Sequence, residues 1–427
     1  MTNPSIATQI DLTLYPDGTR LDADESLVIG GCRVAQLAEQ YGTPAYLIDE
    51  GALRARARRY IDSFADLHPD SAVLFASKSF PAASIVQVLA DEGCGVDVAA
   101  AGELAIALAA GADPATMVLH GNAKTDEDIA AGLDAGVGHV VIDGPDDIDR
   151  LVRMASGPVP VLLRVSPALD AATHEKMMTG HDNSKFGIPT DMVPEVIARI
   201  RREPMLDLQG LHAHIGSQIL QVEQFEAEVA ALAKFERFGV YDLGGGLGVR
   251  YVHTDRAPEV EEYAERMVGA VHRYLGSDVR LMVEPGRSMI ARNGVTVYRV
   301  VTVKHGPRVH VAVDGGMGDN LEVALYDQPF EPAIIDKGGD PVTCDVVGRH
   351  CESGDTFVRD HVLADPKVGD LLTIPVTGAY CYTMSNNYNG NCRPPVILCR
   401  DGAARVAVRR ETVADLLGRD VLAAAAR

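Results

Sequence analysis

The chain has 427 residues, an apolar share of 47% and sixty acidic against thirty-nine basic side chains, for a formal charge of -21. That length and apolar content suit a globular protein with room for two domains and argue against a disordered or fibrous one. A charge this negative repels phosphate backbones and anionic lipid surfaces, so neither nucleic acid nor a membrane is expected as a partner.

The opening MTNPSIATQIDLTL lacks the basic start and unbroken apolar run of a secretory signal, and no later stretch reaches membrane-spanning length. A cytoplasmic location is therefore expected. The segment before the barrel, residues 1–48, includes SLVIGG and all but the last residue of AYLID; it is too strand-like for a linker and is expected to join a sheet built by the C-terminal part.

From about Ser71 to Arg287, β-branched runs alternate with longer Ala-, Leu- and Glu-rich stretches of helical periodicity. Eight strands are predicted: AVLFASK, GVDVA, MVLHG, HVVID, VPVLLRV, LQGLHAHIG, VYDLGGG and RLMVEPG. Eight is the number that closes a parallel (β/α)8 barrel, here over residues 49–290. Such barrels carry their chemistry at the carboxyl ends of the strands, where Lys78, Asp97, His120, Asp143, Arg164, His214, Gly244 and Glu284 fall. After Arg287 the runs VTVYRVVTVK, HVAVDGG, TCDVVGRHC, LLTIPVTGAY, PVILCRDG and ARVAVRRET follow with turns between them, so residues 291–427 are expected to form a mainly antiparallel β domain. Seven cysteines make an odd number with no zinc-like C-x-x-C pairing, and no metal site is expected. They read as reduced thiols, mostly buried, with Cys351 the candidate exception.

Lys78 ends the first predicted strand, where partial desolvation disfavours its ammonium form and a neutral amine can form a Schiff base. Taken alone, a lysine is more often a surface residue. Glu284, ending the eighth strand, could hold a pyridine nitrogen protonated and make the ring an electron sink, or simply bridge Arg287. His214 could lie against such a ring with Ser217 offering a hydroxyl to a phosphate; a satisfied core histidine is the other reading. Gly244, Gly245 and Gly246 follow a strand, and backbone amides there can close around a phosphate, although such a run is as often a plain turn and has no G-x-G-x-x-G spacing.

These pieces, with the motifs FASKSF, GVDVAAAGEL, HGNAKT, SKFGI, HAHIGSQ, DLGGGLG, EPGRS, AVDGGMGDN, ALYD, GRHCESGD and GAYCYTMS, resemble the alanine-racemase-like barrel of pyridoxal-phosphate enzymes, and within it the diaminopimelate decarboxylase family. The resemblance implies pyridoxal 5'-phosphate carried on Lys78, His214 stacked on its ring, Gly244 to Gly246 with Ser217 and Tyr380 around its phosphate, and Glu284 at its pyridine nitrogen. Asp97, Gly286 and Arg287 are counted with the cofactor-binding set. Racemases of this barrel place an arginine at the pyridine nitrogen, so Glu284 favours decarboxylation. Loss of carbon dioxide leaves a carbanion that a positioned acid must reprotonate, and Cys351 is the candidate donor. In the family this loop crosses from a partner subunit, which implies a homodimer with shared sites, and Glu352 binds the substrate amino group.

The family's substrate contacts are matched by Arg287 and Tyr326, but its second arginine is replaced by Glu322 in DNLEVALYD. That change replaces a bidentate carboxylate clamp with a repelling group. The first expectation remains meso-2,6-diaminopimelate converted to L-lysine. The alternative is a lysine- or ornithine-like diamino acid, or a modified amino acid in a specialised pathway, with Glu322 in the substrate pocket; a shifted loop would instead leave Glu322 facing solvent.

Overall fold

The computed structural model describes residues 10–167 and 185–421, so Ser184 of the SKFGI motif and the first nine residues lie outside it. The described chain forms two compact units, one of Arg54–Val249 with Arg256–Met289, the other of the remaining residues.

The first unit is a closed barrel. Its strands are Ser71–Ala76, Gly95–Val98, Met117–Leu119, His139–Ile142, Val159–Ser166, Leu206–Ala213, Val240–Asp242 and Arg280–Val283. Each runs parallel to the next, and the eighth pairs parallel with the first through Leu281 and Ser71. All eight predicted strands are present, but most end short of the predicted motif. The polar and glycine residues at those ends belong to loops, which is what frees them for chemistry.

Alternation along these short strands sends one set of side chains inward, and Leu74, Val118, Val141, Leu162, Val240 and Met282 pack there as an apolar plug. Helices flank the strands. Asp126–Ala135 shows why such a segment is helical: Thr125 caps its N-terminus in a reciprocal box with Asp128, three acids occupy its first turn, and Gly136 closes it in the left-handed conformation.

In the second unit a nine-stranded sheet carries Ala45–Asp49 between Gly294–Lys304, antiparallel, and Val396–Arg400, parallel. Leu27–Ile29, from SLVIGG, pairs instead with Arg20–Leu21 and Cys32–Arg33 in a separate three-stranded sheet. The expected mainly antiparallel character holds, with Ala45–Asp49/Val396–Arg400 and His310–Val313/Pro341–Val347 as parallel exceptions. Among the described residues no helix is long and apolar enough to cross a membrane. The seven cysteines are free thiols; five are buried, Cys392 is half-buried and Cys351 is exposed.

Candidate functional site

Strand one of the barrel ends at Ala76, and a 3-10 turn over Ser77–Ser79 turns Lys78 off the strand axis. Its Nζ donates to Asp97 Oδ2 at 2.8 Å, from a side chain 43% exposed to a carboxylate 1% exposed. Lys124 of HGNAKT has the opposite setting. It is fully buried, and its Nζ is bound to the Gly121 and Val141 carbonyls and to Asp147. Lys124 is a structural strut, whereas Lys78 presents an accessible amine.

Glu284 follows strand eight directly, next to strand one around the barrel. Its Oε1 lies 2.5 Å from His120 Nε2 and its Oε2 lies 3.4 Å from His212 Nε2, with the two imidazoles packed edge to face at 4.7 Å. Burial opposes a charge on Glu284, but the two imidazoles overcome it and hold the carboxyl well below the ordinary range. Asp242, at the end of strand seven, is driven the other way, by burial first and then by the Glu284 charge. Burial also lowers His212 to about 4, so it is neutral and donates to Glu284. One negative charge is thus localised on Glu284. The set His120, His212, Asp242 and Glu284 has metal-type ligand atoms within 4.8 Å of one another. With Asp242 raised and Glu284 lowered, the anionic character of the set falls on Glu284, which suits one protonated ring nitrogen.

Strand seven ends at Asp242 and leads into the loop Gly244 to Gly246, with φ of 56° at Gly244 and 112° at Gly246. A Cβ on Gly244 would stand 2.7 Å from both the Ala213 carbonyl oxygen and His214 Nδ1, one on Gly245 would overlap the Glu284 carbonyl oxygen, and one on Gly246 would stand 2.5 Å from the Gly216 oxygen. Only glycine fits at these three positions. Two of the loop's amides are already engaged: Gly244 N–H donates to Asp242 Oδ1 at 3.0 Å, and Gly245 N–H to His214 Nδ1 at 3.1 Å. The loop supplies space and holds His214 by its Nδ1.

Burial, then the charges of Lys78 and Arg164, push His214 well below its usual pKa, in keeping with an Nδ1 that accepts. Ser217 Oγ accepts from Arg287 Nε at 3.2 Å. Gly286 packs so that a Cβ would meet Ala76 Cβ at 3.0 Å and Ser79 Oγ at 3.3 Å. Lys78, Asp97, His214, Ser217, the glycines, Glu284, Gly286 and Arg287 thus all lie at the carboxyl ends of the strands of one barrel or in the segments that follow them. An amine, a glycine cradle and an ionised carboxylate suit a phosphorylated pyridine aldehyde.

In the second unit, GRHCESGD is wound around the buried carboxylate of Asp355. It accepts from Met317 N–H at 2.7 Å, and from His350 N–H and Nδ1 at 2.8 Å each. Cys351 and Glu352 are left exposed on that turn, and Cys351 N–H donates to Asn389 Oδ1 at 2.7 Å. Tyr380 adopts a φ of 62°. Tyr326 ends the short helix Glu322–Tyr326. Glu322 is 0% exposed, and Tyr251 Oη donates to its Oε2 at 3.2 Å. The solvent-facing reading of Glu322 is overturned, because the side chain is fully enclosed with a tyrosine partner.

Sequence reasoning missed His212 and Asp242. The H-x-H of HAHIGS carried a signal, since residues two apart in a strand share a face. It also missed Asp355, whose role emerges only when distant amides converge on it.

Residues 50–291 match the family model for the pyridoxal-binding domain of pyridoxal-dependent decarboxylases. The chain is 43% identical over 425 residues to diaminopimelate decarboxylase of Actinosynnema pretiosum subsp. auranticum, covering 96% of each. It is 37% identical to the Mycobacterium tuberculosis enzyme of that name, covering 96% of this chain and 98% of the relative. The crystal structure of diaminopimelate decarboxylase from M. jannaschii in complex with L-lysine superimposes with a TM-score of 0.89 at 29% identity, covering 95% of this chain and 98% of that one. A (β/α)8 barrel with Lys78 and an ionised Glu284 on adjoining strands, joined to a mixed β unit and matched along nearly its whole length, places the chain in the diaminopimelate decarboxylase family of pyridoxal-phosphate-dependent decarboxylases.

Proposed function

We propose that this protein removes carbon dioxide from meso-2,6-diaminopimelate to give L-lysine. The observation that carries the reading is the single ionised carboxylate of Glu284, clamped by two imidazoles beside the strand that bears Lys78. When bound, pyridoxal phosphate supplies an electron sink for the electron pair left by the departing carboxylate.

Lys78 is the covalent anchor, and Asp97 positions its amine. Glu284 would hold a proton at the ring nitrogen, and His214 would help to hold the ring. The Gly244 to Gly246 loop, Ser217, Gly286, Arg287 and Tyr380 surround the phosphate end. Cys351 delivers a proton to the α-carbon, and its exposure on the loop wound around Asp355 fits a group that must reach a substrate. Glu352 takes the substrate ammonium, and Arg287 and Tyr326 take the distal carboxylate. Glu322 bears on that end of the substrate indirectly, from beneath Tyr251, which leaves Arg287 as the cation of the clamp.

We further assign residues 49–290 to cofactor binding, and residues 1–48 with 291–427 to a β domain whose active-site loops complete the site of a second copy in a cytoplasmic homodimer. The relatives' names support diaminopimelate over a lysine- or ornithine-like substrate. The test is a panel of D-, L- and meso-amino acids assayed for carbon dioxide release. Release from meso-diaminopimelate is expected; release from lysine or ornithine without it would overturn the assignment.

A further inference from the structure

The turn of the N-terminal hairpin meets the end of the strand Val396–Arg400 beside two thiols, Cys32 and Cys399, that the decarboxylation does not use. Leu27–Ile29 and Cys32–Arg33 are joined by the turn Gly30–Gly31, whose φ values are 56° and 82°. That turn lies directly on the Cys399–Gly402 corner. A Cβ on Gly30 would stand 2.5 Å from the Cys399 carbonyl oxygen and 2.9 Å from Cys399 Cβ, and a Cβ on Gly31 would stand 2.5 Å from Gly402 N. Gly402 N–H donates to the Gly30 carbonyl at 2.9 Å, fixing the contact. Two glycines in the left-handed region, each without room for a side chain, show that this close approach is built into the fold.

Cys32 folds back over its own turn, with Sγ 3.9 Å from the Gly30 oxygen, and its thiol and that of Cys399 lie near enough to perturb one another's ionisation. Cys399 is 0% exposed and Cys32 7%. Cys399 stands opposite Asp49 on one neighbouring strand and Ala404 on the other. The two thiols thus flank one turn that is fixed against the strand Val396–Arg400. That is the requirement for a disulfide, which forms only where the two side chains already face one another at short range.

We propose that Cys32 and Cys399 are an oxidative modification site, closing to an intramolecular disulfide when the protein meets a peroxide. Cys32, the thiol with residual exposure, attacks hydrogen peroxide; the O–O bond breaks, one oxygen leaves as water, and the sulfur becomes a sulfenic acid. The Cys399 sulfur then displaces that oxygen as a second water and the S–S bond forms. Two thiols and one peroxide give one disulfide and two waters, with sulfur oxidised and peroxide oxygen reduced. The bond would tie the three-stranded sheet to the nine-stranded sheet and so join the two ends of the chain.

The surroundings set the conditions for the reaction. Burial, and then the nearby Asp49 carboxyl, raise the pKa of Cys32; burial and the neighbouring thiol raise that of Cys399. Thiolate is therefore scarce at neutral pH, and the pair stays reduced under ordinary intracellular conditions. Oxidation should quicken by about tenfold per pH unit below the thiol pKa, because the thiolate is the attacking species.

The test uses the full-length holoenzyme treated with hydrogen peroxide, alkylated with N-ethylmaleimide and digested without reduction. Mass mapping should find the Cys32 and Cys399 peptides joined, lighter by two hydrogens than their sum, and separated again by dithiothreitol. Recovery of the two cysteines as separate alkylated or over-oxidised peptides would overturn the proposal, as would either one linked to a different cysteine. In Cys399→Ser the crosslink should vanish and Cys32 should become trappable by dimedone; no dimedone adduct would overturn the order of steps. Should that variant fail to fold, the wild-type map decides the pairing on its own.

Discussion

Gly244→Ala tests the cradle most directly. Alanine at φ 56° pays about 1–2 kcal/mol for the left-handed conformation. Its methyl also meets the Ala213 carbonyl oxygen and His214 Nδ1 at 2.7 Å each, and neither can withdraw freely, one being strand backbone and the other a ring tied to Gly245. Forcing a methyl into such a space costs roughly 1–3 kcal/mol. Whatever part of this cost the loop sheds by shifting in the apoprotein is paid again when the cofactor returns it to the present conformation, which sets about 3 kcal/mol as the loss in binding. About 3 kcal/mol corresponds to about a 100-fold weaker dissociation constant for pyridoxal phosphate. Apoprotein would be titrated spectroscopically with pyridoxal phosphate and, in parallel, with pyridoxal. A larger loss for the phosphorylated compound is expected. Wild-type affinity in a folded variant would refute the reasoning, and an equal loss for both compounds would move the damage from the phosphate to His214.

Lys78→Ala should abolish the visible absorbance of the lysine-bound cofactor, and an unchanged spectrum would place the anchor elsewhere. Cys351→Ala should slow turnover by about 10²- to 10⁴-fold with little change in cofactor affinity, the range expected for loss of one positioned acid; full activity would remove it as the proton donor. Glu322→Arg would enclose an unpaired cation beside Tyr251 and should cost about 3 kcal/mol or more in stability, read as a lowered melting temperature without better use of meso-diaminopimelate. A stable variant with improved use would instead put this position in the pocket. Asp319 is raised to about 7 by burial, against hydrogen bonds from Tyr298 Oη at 2.6 Å and Gly316 N–H at 3.0 Å. Between the ordinary carboxylate pKa and about 7, the folded state holds more protons than the unfolded one, so this group makes stability fall as pH rises, by up to about 1.4 kcal/mol per unit. Asp319→Asn should remove that slope from denaturant melts across the window; an unchanged slope would show that Asp319 is not the titrating group.

The barrel was legible because its signals are local. Short β-branched runs such as VLLRV specify strands by pattern alone, and the reactive residues sit where each run breaks. Lys78 and Glu284 are 206 positions apart in the chain, yet barrel closure makes their strands neighbours, so counting eight strands was enough to bring them together. What stayed hidden depends on who accepts from whom. Gly244 to Gly246 announced a cradle, but that two of its amides serve Asp242 and His214 depends on loops folding against one another. Glu322 was noticed as a change of charge, but its enclosure under Tyr251 comes from a contact across 71 residues that no periodicity encodes. The pairing of SLVIGG with its own hairpin turned on two glycines whose left-handed φ values a sequence only permits.

The charge at Glu284 ties the fold to the chemistry. Burial alone favours the protonated form of a carboxyl, as the raised pKa of Asp242 illustrates, and a protonated carboxyl could not hold a proton on a ring nitrogen. His120 and His212 prevent this by approaching Glu284 on both of its oxygens, from the ends of strands three and six, while Asp242 rises in pKa and adds no second negative charge. Parallel strands are what permit the arrangement, because they bring residues distant in sequence to one end of the barrel at a common depth. An arginine at position 284 would face imidazoles placed to support an anion and would weaken the electron sink. On the proposed reading, a carboxylate kept ionised at this position is what a protonated ring nitrogen would need in order to act as an electron sink.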